Sequence, residues 1–398
     1  MRNIYKRCMA TLLPLLLIGV IWHHSTISSY GITRCISKDN HIASIPVSIP
    51  SRYECILSDT SLSEDPANTH QLEQESGRED KDSEINPEES TPNNLKEILG
   101  NYYTGSAFVF QERAFRRVLR WKEDFEDIAG NYRSVDWKKL SAIIKAETQG
   151  KTGEQVSSAK AVGMPQIKYQ GAWAFVWDAM FRENRKKGSV FVKDYYNANI
   201  RARYHSQLKQ IELYLQKNNI LVYPANSSEA EYRKARSDSW EHLKAHLQRD
   251  FKPGEYQVAV DIAAMYIDHL MHTFLMVKKQ VEEIKQFVES NGILGLDDIE
   301  LSGTKMKRWN RIKEYLMRDI EFTDSENYQE LTLAHLNNIL NRLENRNIYV
   351  AAYNLGLNKV LRYIESGRKI PSGIEKYVKT VSTYNMIFHE IEKLRIFS

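Results

Sequence analysis

From Leu95 onward, apolar residues recur every three or four positions, and that spacing predicts packed helices rather than sheets. Helix-like spacing covers 106–129, 136–149, 172–186 and 192–217. The mainly charged segment 228–249 predicts a surface-exposed helix, and Pro253-Gly254 then makes a break. The longest apolar-periodic run, 256–291, carries Val258, Ile262, Met265, Tyr266, Leu270 and Phe274. Further helices are expected over 304–319, 328–343, 346–355, 357–366 and 373–392. With 18 glycines and 10 prolines in 398 residues, breakers are too few to interrupt this pattern often. The fold class predicted is mainly α, with no internal repeat.

The chain before Leu95 is of another kind. Residues 58–92 hold eleven acidic and two basic side chains and no aromatic, a balance of −9 that leaves +13 on the rest. Such a segment cannot bury enough apolar surface to offset its ordering entropy, so 32–94 reads as a disordered acidic linker. A basic body is drawn to polyanions. Carboxylate-bearing peptide stems of a cell wall and a membrane surface are the candidates, since no nucleic-acid module is visible. Arg2, Lys6 and Arg7 precede fourteen uncharged residues, Met9–Trp22, which suits the core of an export signal. Residues 1–31 are therefore expected to be a signal peptide, with Ser29 and Gly31 before a cleavage point, or a retained membrane anchor. Cys8 lacks the flanks of a lipidation site. Cys35 and Cys55 either pair as a disulfide or stay free. No cysteine follows them, so the body holds no thiol nucleophile.

Chemistry concentrates at Glu147. Leu140, Ile143 and Ile144 form a helical apolar stripe, and Glu147 falls on its face where another apolar residue is expected. Desolvation there disfavours the carboxylate and raises the pKa, as a general acid for glycosidic cleavage requires. Downstream comes Ser157-Ser158-Ala159-Lys160-Ala161-Val162-Gly163-Met164-Pro165-Gln166, a compact turn ending in an amide. Much later come Ala352-Tyr353-Asn354-Leu355-Gly356, and then Pro371 before Tyr377-Val378. The eleven histidines form no metal pattern, and no phosphate loop or esterase elbow is present, so no cofactor or metal is expected.

In this order the four blocks resemble the lytic transglycosylases of the soluble bacterial type, a lysozyme-like family that cuts peptidoglycan. The family pattern is a helix ending in Glu-Ser, then S-x-x-G-A-x-G-L-M-Q, then A-Y-N-x-G, then a Pro-led Tyr-Val helix. Ser157, Ala161, Gly163 and Gln166 match the second block, and Ala352, Tyr353, Asn354 and Gly356 the third. Thr148 follows the acid here, Lys160 replaces a glycine and Met164-Pro165 replaces Leu-Met. Glu-Thr and Gly-x-Pro-Gln resemble the membrane-bound B-type enzymes, while the short Glu-to-Gln spacing favours the soluble type.

The resemblance implies that Glu147 is the single acid and then base. It implies sugar contacts from Ser157 and Gln166, and close backbone approach at Gly163. It also places the Tyr353 hydroxyl near the acid with Asn354 beside it, and Tyr377 along the cleft. Lysine at 160 would be strained if the backbone there is left-handed. The domain is expected over 95–398, with helical insertions at about 178–250 and 292–343 that either shape the cleft or thicken the scaffold. The partners implied are peptidoglycan glycan strands, with the N-terminus as a membrane anchor. A goose-type muramidase and a non-catalytic wall-binding scaffold are the alternatives.

Overall fold

The computed structural model describes residues 95–396, apart from 154–156, 158–159, 183, 188–189, 194, 225–227, 293–302 and 320–324. The expected signal, linker and Cys35–Cys55 pairing lie outside the described residues. The protein is mainly α-helical, and the described residues all fall in one contact-defined unit, Ser76–Ser398.

The first helices are α1 (Leu95–Gly100), α2 (Gly105–Leu119), α3 (Lys122–Ala129) and α4 (Trp137–Thr148). Asp136 starts α4 by accepting the Lys139 amide at 2.9 Å, which satisfies one of the open donors of the first turn. Gln149 stops it in the left-handed conformation, so Glu147 stands in its last turn. A π-helical turn, Tyr169–Trp173, leads into α5 (Ala174–Phe181). Then come the antiparallel strands β1 (Asn184–Lys187) and β2 (Val190–Lys193), registered Asn184 to Lys193, and the helices α6 (Tyr195–Arg203), α7 (His205–Lys217) and α8 (Glu229–Leu247). The 34-residue α9 (Val258–Asn291) follows. The rest is α10 (Gly303–Asp319), α11 (Ser325–Leu343), α12 (Ile348–Leu355), α13 (Leu357–Glu365) and α14 (Ser372–Ile396).

α9 is long and apolar enough to span a membrane by length and composition, but 72% of its most apolar window is buried within the protein. Every residue from Val258 to Leu270 is buried, and α3, α5, α7, α11 and α12 pack around it. Two of its acids are taken up by neighbours: Asp261 accepts the hydroxyls of Tyr132 and Tyr256, and Asp268 those of Tyr204 and Arg203.

Beside this axis, α4 and α14 run antiparallel. Trp137 donates to Glu392 at 3.0 Å at one end, and Tyr377 meets Glu147 at the other. Between them the buried Lys145 donates to Gln111 and lies 4.0 Å from the centre of the Tyr384 ring, which ties α4 to both α2 and α14.

Three expectations need correction. The helix expected over 106–129 is two helices, broken at Arg120-Trp121 where the Trp121 ring is fully buried. The helix expected to reach 186 stops at Phe181, and a hairpin follows in which Val190, Phe191 and Val192 form a strand, as their β-preferring side chains favour. The charged segment expected at the surface, α8, buries Ala235, Ser239, Trp240, Leu243 and Leu247 along one face.

Candidate active site

The apolar stripe that flanks Glu147 is fully buried: Leu140, Ile143 and Ile144 have 0% exposure. Glu147 keeps partial exposure beside them. Burial drives its pKa up from the ordinary carboxylate value to about 7, against two opposing influences. The Tyr377 hydroxyl donates to Oε1 at 2.5 Å and favours the ionised form, and the charge of Lys168 acts in the same direction. Standing in the last turn of α4, the acid also faces the negative end of the helix dipole, which favours the protonated form.

The loop after α4 folds on itself. Val162 and Ile167 exchange both backbone hydrogen bonds at 3.0 Å, closing a tight turn over Gly163–Gln166. Gly163 has φ +72°, and a Cβ there would lie 3.2 Å from Ala259 Cβ and 3.3 Å from Leu247 Cδ1. Lys160 adopts φ +57°, so the strain expected of a non-glycine residue at this position is present. Its side chain is exposed, which removes any packing objection.

Two hydroxyls fasten the turn. Thr148, next to the acid on α4, donates to the Met164 carbonyl at 2.8 Å. Tyr353 on α12 donates to the Pro165 carbonyl at 2.7 Å. Consecutive carbonyls are thus gripped from two helices more than 200 residues apart in sequence. Lys168 adds a third fastening, donating from Nζ to the Asn354 carbonyl at 2.9 Å. Because Lys168 is largely buried, its pKa is lowered.

The structure therefore gathers Glu147, Tyr353 and Tyr377, with the Gly163–Gln166 turn and Asn354 joined to them through Pro165 and Lys168. Fully desolvated, the two tyrosines are pushed well above the ordinary phenol value, and the Glu147 charge pushes both further the same way. The hydroxyl on the acid belongs to Tyr377, whereas that of Tyr353 is bonded to backbone. Ser157 and Gln166 act within the loop. Ser157 Oγ accepts the Ala161 amide at 3.1 Å, and the buried Gln166 amide donates to the Gly163 carbonyl at 3.0 Å. Gln166 also has φ +52°, so the turn is held by side-chain-to-backbone bonds of its own.

Sequence reasoning did not single out Lys168 as a site residue. Its only signal was position, two residues beyond the matched Gln166 and one before Tyr169. Tyr169 in turn receives the first insertion: Arg236 of α8 donates to its hydroxyl at 3.1 Å, and Trp240 packs against its ring at 5.8 Å. His269, noted as an i, i+3 neighbour of His272, is stacked on Phe175 at 4.3 Å and held neutral by burial, with a pKa of about 4.

A desolvated carboxylic acid with a phenol and an ammonium at hand can give up a proton at neutral pH and take one back. Among the described residues, Tyr377 and Lys168 are the groups acting on it, and neither is a second carboxylate. No protein-family model matches this chain, and neither a curated protein nor a solved structure is similar to it.

Proposed function

We propose that the protein is an exported peptidoglycan lytic transglycosylase with a lysozyme-like domain, in which Glu147 is first general acid and then general base. The observation that carries this is the Glu147 carboxyl, raised to about 7 by burial and held by Tyr377 beside the loop and the Tyr353-Asn354 turn.

Most glycosidases use two carboxylates around an oxocarbenium-like transition state. With one, the chemistry runs through the substrate. Glu147 protonates the oxygen bridging N-acetylmuramic acid to N-acetylglucosamine, and the bond from C1 to that oxygen breaks, releasing the 4-hydroxyl. The muramoyl N-acetyl oxygen supports the positive C1. The Glu147 carboxylate then takes the proton of the same sugar's 6-hydroxyl, whose oxygen closes on C1 to give a 1,6-anhydro end. No water is consumed, and the acid ends protonated as it began. Lys168 and Tyr377 both stabilise the transient carboxylate.

Mass spectrometry of sacculi digested with the full chain provides the test. Anhydro-muramoyl ends are expected, and Glu147→Gln should lose lysis at least about a hundredfold while still pelleting with sacculi. Reducing muramoyl ends would instead indicate hydrolysis of the goose-lysozyme kind. Equal inertness of wild type and variant would leave a wall-binding scaffold.

A further inference from the structure

We infer that Lys168 and Lys359 form a carboxylate-recognition pair beside Glu147, fitted to an acidic group on the peptide attached to the glycan. This rests on the transglycosylase proposal above, whose substrate class it narrows.

The two lysines are brought together by one turn. Asn354 ends the Tyr-Asn element, and its carbonyl fixes the Lys168 ammonium at 2.9 Å. Gly356, at φ +95°, reverses the chain and opens α13, whose first turn carries Lys359. Lys359 is exposed and close enough for its charge to disfavour the protonated form of Lys168. Among the described residues no carboxylate pairs with Lys359. Glu147 supplies no lasting counter-ion either, since its working form carries the proton.

Two cations facing each other over a neutral acid are relieved by an anion supplied from outside. An ammonium has three donors, and Lys168 has given one to Asn354, so it can still meet a ligand oxygen. Neutral sugar hydroxyls and amides do not call for a pair of charges. The acidic group in reach of a glycan seated at Glu147 is a carboxylate of the appended peptide. Its arrival would also offset the pull of Lys168 toward the ionised form of Glu147, so that the acid keeps its proton until cleavage.

The test uses native sacculi and the same sacculi with stem carboxyls converted to amides by carbodiimide and ammonia. Wild type should act on native sacculi about tenfold more efficiently, and Lys359→Gln should lose about that factor on native material through KM, with no change on amidated material. Equal wild-type rates on both, or a Lys359→Gln loss that is equal on both, would overturn the pair. A binding arm pellets Glu147→Gln, with and without Lys359→Gln, on the two preparations. Where neither preparation is cleaved, binding that depends on both amidation and Lys359 sustains the pair while the transglycosylase proposal fails. Binding indifferent to either one removes the pair.

Discussion

At the scale of single residues, the chemistry reduces to where one proton sits. The pKa of Glu147 is about 7 in the fold against 4.5 ordinarily, so between those pH values the folded protein keeps a proton that the unfolded chain releases. Stability therefore falls as pH rises through that window and stays lower above it. Glutamine has the same shape and no charge to desolvate. Glu147→Gln should match wild type in urea unfolding near pH 4 and exceed it by roughly 3 kcal/mol at pH 8. A difference that does not change with pH would contradict the assignment of burial as the cause. Tyr377→Phe removes the hydrogen bond that favours the carboxylate, so the alkaline limb of the pH–rate profile should move to higher pH. A limb that stays put, or moves down, would mean the hydroxyl does not tune the acid.

At the scale of elements, legibility tracked how local the cause was. The α4 stripe, the Asp136 start and the long α9 are written in short-range pattern, and their bounds fall within two residues of those expected. The hairpin at 184–193 was missed because a two-stranded ribbon offers only a few residues of alternation between strongly helical neighbours. The break at Trp121 carries no glycine or proline; a buried indole enforces it, which no local signal announces. In the site, the blocks pointed to the right neighbourhood, whereas which tyrosine reaches the acid depends on how α14 lies on α4, a relation 230 residues apart in sequence. The turn itself can be probed. Gly163→Ala adds a Cβ at φ +72° against Ala259 and Leu247, and should cost about 1–3 kcal/mol in denaturant unfolding. Lys160→Gly should instead be neutral or stabilising by up to about 1 kcal/mol, because relief at φ +57° offsets the added chain entropy. Destabilisation there would show that the lysine side chain holds the loop.

For the whole molecule, the second insertion is bound to the site-bearing half through one buried acid. Glu365, at the end of α13, has 1% side-chain exposure and accepts from Arg308 and Arg311 of α10. His335 of α11 meets its carbonyl at 2.7 Å, and Arg342 of the same helix reaches the carbonyls of Tyr363 and Gly367. Glu365→Gln leaves two guanidinium groups without their charge partner and should lower stability by about 3 kcal/mol, read from the denaturant midpoint. An unchanged midpoint would mean the insertion is held by its apolar contacts alone.

The grip of Thr148 and Tyr353 on two successive carbonyls has a consequence for how this loop can change over generations. What is held is main chain, common to every amino acid, so the identities at 164 and 165 are released from the task of holding. Proline is admissible at 165 because the bond takes its oxygen and asks nothing of the nitrogen it has tied up. Drift at these two positions is therefore cheap, while the hydroxyls at 148 and 353 carry the constraint in their place.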